Sequence, residues 1–342
     1  MSSEYSKLLD SLLDGHDLSE VQAYDLMCKL AEGELPPALA GALLAGLRAK
    51  GETADEIRGF ATAMRELAVH PDIPAGAPTV DTVGTGGDGS GSLNLSTGTG
   101  LLAAACGARV VKHGNRSVSS RSGSADMLEC LGMPLPLHEK EAVECLAATG
   151  FTFLFAPAYH PAMKAVVPIR GALSVRTVFN ILGPLTNPAA PPYHLIGAYS
   201  KETANLMADT LAGMPLDRAF VVHGEPGWDE ATPAGEFWLY DVRPGVVTET
   251  RRSPEDYGLQ RCTPEDLEGG DAEHNARELI SVFTGEDKGA HRDALLMGTS
   301  LVLEVQGVAK DPVDGVQRAA AAIDDGRARK FLETLKAHFQ GQ

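Results

Sequence analysis

Disulfide pairs, aromatic residues, positive charge and long apolar runs are all scarce in this chain. The five cysteines, Cys28, Cys106, Cys130, Cys145 and Cys262, are scattered, odd in number and contain no Cys-x-x-Cys pair. That argues against a disulfide framework or a cysteine zinc site, and a reducing, cytoplasmic setting is expected. Lys and Arg total 29 against 46 Asp and Glu, a formal charge of −17. Such a balance leaves no broad basic face for a nucleic-acid backbone. A small anionic ligand needs only a local cluster, for which Lys112, Arg116, Arg121 and Arg170 are available. Residues Met1 to Leu13 mix acids with apolar side chains, so neither a signal peptide nor a membrane span is predicted there.

Apolar side chains are plentiful, and 342 residues are long for one core, so two lobes are expected. Residues 5–68 read as all-helical. Apolar positions recur at helical spacing in Val21, Tyr24, Met27 and Leu30, in Leu39, Leu43 and Leu47, and in Ile57, Phe60, Met64 and Leu67. Ser19 with Glu20 and Thr53 with Glu56 look like helix starts, and Gly33 and Gly51 like stops. The Pro- and Gly-rich stretch 71–78 marks a lobe boundary, giving lobes 1–70 and 71–342.

Beyond it, short β-branched runs alternate with longer helical ones. Strands are predicted at 79–83, 108–112, 151–155, 194–199, 218–223 and 237–242. Helices are predicted at 97–106, 124–131, 139–149, 201–213, 272–284, 291–306 and 313–339. The fold class is α/β: a small helical lobe, then a larger lobe with a mainly parallel sheet covered by helices.

Residues 81–126 are dominated by glycine and short hydrogen-bonding side chains. Gly84, Gly86, Gly87, Gly89 and Gly91 let a backbone approach a ligand, while Asp88, Asn94, Ser96 and Thr97 supply oxygens and amides for a polyphosphate and its cation. A linker would have the same composition. This segment, however, is entered by the strand-like Val80–Val83 and left by the helical Leu101–Cys106, which makes a strand, loop and helix N-terminus suited to an anion. A dinucleotide fingerprint fits poorly because Asp88 sits among the glycines, and no Gly-Lys-Ser/Thr completes a P-loop.

The Gly84-Thr85-Gly86-Gly87-Asp88 loop, Asn94-Leu95-Ser96-Thr97, Lys112 to Ser120, Gly123 to Asp126, and Arg176 to Pro188 occur in one order. In that combination the chain resembles the anthranilate phosphoribosyltransferase family from about Leu18 to its C-terminus. The resemblance implies a nucleoside phosphorylase/phosphoribosyltransferase-like architecture with helices around 161–182 packed back on the helical lobe. It also implies transfer of a phosphoribosyl group to anthranilate in tryptophan biosynthesis, two Mg2+ ions and a homodimer through the helical lobe.

Carried onto this sequence, the family pattern implies that Gly84, Gly87, Asp88, Asn94, Leu95, Ser96 and Thr97 hold pyrophosphate and that Ser92 also binds phosphoribosyl pyrophosphate. Lys112, His113, Gly114, Asn115, Arg116, Ser117, Val118, Ser119, Ser120 and Ser124 would bind the rest of phosphoribosyl pyrophosphate. Anthranilate would meet Gly84, His113, Asn115, His160, Arg170, Gly183 and Pro184, with Arg170 facing its carboxylate. Ser96, Asp229 and Glu230 would hold metal, and no residue is assigned as an obligatory acid or base. Pro226 and Trp228 before the acidic pair, and Gly171 to Ser174 after Arg170, depart from the family pattern. A pyrimidine nucleoside phosphorylase-like enzyme and a non-catalytic nucleic-acid-binding paralogue of the same fold are the alternatives.

Overall fold

Four amphipathic helices open the chain: α1 (Ser2–Leu13), α2 (Glu20–Glu32), α3 (Pro37–Lys50) and α4 (Ala54–Glu66). Ser19 and Thr53 begin α2 and α4 as capping boxes with Gln22 and Glu56, and Gly33 ends α2 at φ 70°. These are helix boundaries that the sequence announces. The computed structural model describes residues 2–74, 77–117, 121–225 and 227–340. Val118, Ser119 and Ser120 of the expected sugar-phosphate side, and Pro226, lie outside the described residues.

The larger lobe runs β1 (Thr79–Gly84), α5 (Leu95–Ala105), β2 (Arg109–Gly114), α6 (Ser124–Cys130), α7 (Glu139–Thr149) and β3 (Phe151–Phe155). After the short helices α8 (Ala156–Tyr159), α9 (Val167–Leu173) and α10 (Phe179–Leu182) come β4 (Tyr193–Gly197), α11 (Lys201–Ala212), β5 (Arg218–Gly224), β6 (Phe237–Arg243) and β7 (Val246–Arg252). Helices α12 (Ala272–Phe283), α13 (Ala290–Val305), α14 (Pro312–Asp324) and α15 (Arg327–Gln340) complete it. The single helix predicted over 313–339 is two, broken at Gly326 with φ 83°. Strand β7 was not predicted. Its residues are nearly all exposed, so an edge strand of this kind carries no alternating apolar signal.

The seven strands are ordered β3-β2-β1-β4-β5-β6-β7. Strands β1 to β5 pair in parallel, and β6 and β7 are antiparallel. Chain order reverses between β1 and β4, where open α/β sheets collect ligands beyond their strand C-termini.

Two cores lie on opposite faces of this sheet. Leu195, Phe220 and Val222 belong to one, with Leu101, Leu128 and Leu295. Their neighbours Ile196, Ala219 and Val221 belong to the other, together with Leu211 of α11 and Leu26, Leu44 and Phe60 of the helical lobe. The helical lobe therefore shares its core with one sheet face, α4 packing on α11. Helix α9 packs on α3, with Leu173 and Ile169 facing Gly41.

Candidate active site

Strand β1 delivers Gly84 opposite Gly197 of β4 in register. The loop after β5 folds across both. A Cβ at Gly197 would overlap the Asp229 carbonyl oxygen, and one at Gly84 would overlap the Asp229 carboxylate. The two glycines thus form the floor for Asp229-Glu230. Gly86 and Gly87, at φ 69° and 74°, turn the loop above it. The Gly86 N–H donates to Asp229 Oδ2 at 2.6 Å, and the Asp229 N–H donates to Asp88 Oδ2 at 3.2 Å. On the other side, the Ser96 N–H in the first turn of α5 donates to Glu230 Oε1 at 3.0 Å.

Burial pushes the Asp229 and Glu230 carboxyls well above the ordinary carboxylate range, and repulsion adds to it, from Asp88 on Asp229 and from Asp229 on Glu230. Lys112 is the cation within reach. Its ammonium is buried, with 1% of the residue exposed, and donates to the Thr82 carbonyl and, at 3.3 Å, to Ser96 Oγ. Burial lowers its pKa while Asp81, Glu230 and Asp229 raise it. The Asp229 and Glu230 carboxylates, with the Ser96 hydroxyl on Lys112 beside them, are hard oxygen donors whose mutual repulsion a divalent cation would relieve. These residues fit magnesium. Among the described residues the one group of three His, Asp or Glu ligand atoms that closes on a single point is Glu278, Asp287 and His291, which belongs to α12, α13 and the turn between them.

Lys112 thus runs inward from β2, its ammonium a counter-charge to these acids. Arg116 is exposed just past the end of β2. Its guanidinium is held by Glu129 through two bonds of 2.6 Å and by Asp126 at 3.1 Å, so its charge is already matched. Leu95 and Thr97 are buried in α5, which leaves their backbone rather than their side chains for a ligand. The Asn94 carboxamide is engaged, bonding the Ser122 carbonyl, the Ser122 hydroxyl and Asn275. Ser92 bonds Ser90 and bridges to Glu268. Gly114 ends β2 against Ser124, the first residue of α6, where a Cβ would strike the Phe153 ring. Asn115 is exposed beside them, its Oδ1 accepting from the Arg116 N–H, and the Ser117 N–H donates to Asp126 Oδ2.

Of the residues expected at the acceptor side, His113, His160 and Gly183 meet between β2 and the 183–185 turn. His113 and His160 are buried with ring centroids 5.1 Å apart, and His113 Nδ1 lies 3.2 Å from the Gly183 carbonyl. Burial drives the pKa of His113 down to about 3 and that of His160 to about 4, so both are neutral. Pro184 is buried behind Gly183. Arg170 is exposed on α9 with its guanidinium 5.5 Å from the Phe179 ring centroid. Ser174 of the unusual turn takes φ 50°, closing α9 after Arg170, and Trp228, directly before the acidic pair, is buried.

Sequence reasoning missed the scaffold below these groups. Buried Asp81 accepts from the His113 N–H at 3.2 Å and from Asn187 Nδ2 at 2.8 Å, while Asn187 Nδ2 also reaches the Val111 carbonyl at 2.8 Å. Arg65 of α4 donates to the Leu185 carbonyl at 2.8 Å. An aspartate inside the β-branched run 80–83 was the available signal.

Comparison with known proteins agrees with this fold. Residues 76–329 match the model of the glycosyl transferase family a/b domain, and residues 6–68 that of its helical bundle domain. Anthranilate phosphoribosyltransferase of Parasynechococcus marenigrum is 44% identical over 98% of this chain and 96% of its own. The crystal structure of the Thermus thermophilus enzyme superposes with TM-score 0.90 at 41% identity, covering 97% of this chain and 99% of that one. The Saccharomyces cerevisiae enzyme in complex with PRPP and Mg does so with TM-score 0.90 at 26% identity, covering 100% and 99%. With both domains matched and such identity over nearly its full length, the chain belongs to the anthranilate phosphoribosyltransferase family.

Proposed function

We propose that this protein transfers the phosphoribosyl group of phosphoribosyl pyrophosphate to the amine of anthranilate, releasing pyrophosphate, in tryptophan biosynthesis. The observation that carries the reading is the meeting of the Gly84–Asp88 loop, the N-terminus of α5 and Asp229-Glu230 at the β1/β4 reversal. The leaving group is a polyanion, so donors must stand where its charge accumulates. The α5 N-terminus contributes roughly 0.3–1 kcal/mol to an anion at such a position, and the glycine loop exposes further N–H groups. The magnesium-holding set is Ser96, Asp229 and Glu230, taking two Mg2+ ions, and bound magnesium would neutralise charge developing on pyrophosphate. Support for two ions is that Asp229 and Glu230 are anchored apart, one on Gly86 and one on Ser96.

On the acceptor side, Arg170 takes the anthranilate carboxylate, a planar partner for a planar cation. His113 and His160, held neutral, line the ring site with Asn115, Gly183 and Pro184. Both are weak bases, which matches an aryl amine that is already neutral and nucleophilic at pH 7. The lobe made by residues 1–70, joined by the helices of 161–182, carries this side, and residues 71–342 carry phosphoribosyl pyrophosphate. Contact of α9 with α3 supports that division. Free cysteines support a reducing cytoplasm as the setting, and exposed Leu13 and Val21 on the helical lobe support a homodimer there.

The test is anthranilate fluorescence. It should disappear on mixing the purified protein with phosphoribosyl pyrophosphate and magnesium. Untouched anthranilate together with phosphate-dependent cleavage of uridine or thymidine would establish a nucleoside phosphorylase instead.

A further inference from the structure

We propose that Arg176 is a positioning residue for phosphoribosyl pyrophosphate, gripping the Gly87 carbonyl so that the Asp88 N–H points at the leaving pyrophosphate. The inference rests on the function proposed above and adds a residue to it. Arg176 lies in the segment between α9 and α10. Its Nη2 donates to the Gly87 carbonyl at 2.5 Å, and its guanidinium carbon stands 4.1 Å from the centroid of the Tyr199 ring. The Arg176 carbonyl in turn accepts from Arg48 of α3. One residue thus ties the helical lobe, the corner after β4 and the glycine loop together.

The same corner holds the loop from below. The Tyr199 N–H donates to Thr85 Oγ1 at 3.1 Å, and the Thr85 N–H donates to the Gly197 carbonyl at 3.0 Å. Above Thr85 the chain passes through two glycines in the left-handed region, where a peptide unit can rotate at little cost. A planar trans peptide fixes the N–H of one residue opposite to the carbonyl of the residue before it. Holding the Gly87 carbonyl against Arg176 therefore turns the Asp88 N–H away from Arg176. No acceptor among the described residues takes that N–H, so it is a donor left for a ligand. A side chain at Gly87 would be strained at φ 74° and would crowd the guanidinium, its Cβ standing 3.2 Å from Arg176 Nη2.

The test uses Arg176→Met, Tyr199→Leu and the double variant of the full chain. Calorimetric titration of phosphoribosyl pyrophosphate with magnesium reads binding directly. Steady-state kinetics at saturating phosphoribosyl pyrophosphate read the acceptor. Arg176→Met should weaken phosphoribosyl pyrophosphate at least tenfold while the KM for anthranilate stays within threefold. Tyr199→Leu, which only removes the ring beneath the guanidinium, should weaken it by a smaller factor, and the double variant should be no weaker than Arg176→Met, since both act through one contact. Equal losses for both substrates, a change under twofold, or losses that multiply in the double variant would overturn the proposal. Wild-type protein that binds phosphoribosyl pyrophosphate yet ignores anthranilate would overturn the acceptor reading instead, and the binding titrations would still decide the role of Arg176.

Discussion

Arg170 stands at the rim of the cleft over Phe179, with no ionic partner among the described residues, so removing it leaves no buried charge behind. A charge-assisted bond from it to a carboxylate would contribute about 1.5–3 kcal/mol. Arg170→Ala should accordingly raise the KM for anthranilate roughly tenfold to a hundredfold and leave phosphoribosyl pyrophosphate nearly unchanged. Equal effects on both substrates would assign Arg170 to the scaffold. Asp229 and Glu230 behave oppositely, since their carboxyls are already disfavoured as anions. A carboxyl whose pKa is raised by folding keeps its proton in the native protein after the unfolded chain has lost it. Stability is then present at low pH and drains away as pH rises from about 4, the ordinary carboxylate value, through the raised value. Magnesium competes with those protons. The increase in melting temperature on adding magnesium should therefore grow between pH 5.5 and pH 8. In Asp229→Asn/Glu230→Gln it should shrink at every pH, while turnover requires more magnesium. A magnesium effect independent of pH and unaltered in the double variant would remove the pair from the metal site.

At the scale of elements, the acidic loop is placed by the two strand ends beneath it, Gly84 and Gly197. Gly197→Ala has to push the Asp229 backbone away, because its methyl would occupy the position of that carbonyl oxygen. The variant should keep the far-UV spectrum of the wild type and lose most magnesium-dependent turnover. Full activity in Gly197→Ala would mean that the loop has another resting place. Gly197 illustrates what the sequence conceals. The glycine loop at 84–91 was readable, because a ligand that approaches backbone demands a run of small residues whatever the rest of the chain does. A lone glycine ending β4 gives no such pattern, and its partner is 32 residues away. Lys112 was readable as a cation near the site, but not as one facing inward, since a parallel strand buried on both faces has no polar side to betray direction. The helices of the 201–213 and 272–306 regions were legible to within about two residues from their apolar spacing. Strand β7 was not, because it buries almost nothing. Asp81 and Asn187 were visible as residues yet not as a pair, their contact spanning 106 positions.

Over the whole molecule, the helical lobe has no core of its own separate from the sheet: Phe60 and Leu44 share a cluster with Val221 and Ile196. Three buried neutral imidazoles, His113, His160 and His194, lie in this region with pKa values driven down by burial to about 3, 4 and 3. Their contribution to stability is complete above about 6.5, the ordinary histidine pKa, and is lost as pH falls towards 4. Magnesium-saturated protein should therefore melt at lower temperature at pH 5 than at pH 7; an unchanged midpoint would mean that these rings take up protons without opening the core.

The hydrogen bonds that close the acidic loop, Gly86 to Asp229 and Ser96 to Glu230, join residues 143 and 134 positions apart. In time, such contacts come late: helices form locally, but these bonds wait until β4 has been laid beside β1 and β5 beside β4. During refolding, helical signal should return before magnesium-dependent turnover, and simultaneous recovery would contradict that order. A nascent chain released before residue 230 would carry its glycine loop with nothing to set against it. Competence for phosphoryl ligands is in this sense a record that the sheet has been completed, not a property that any one segment brings with it.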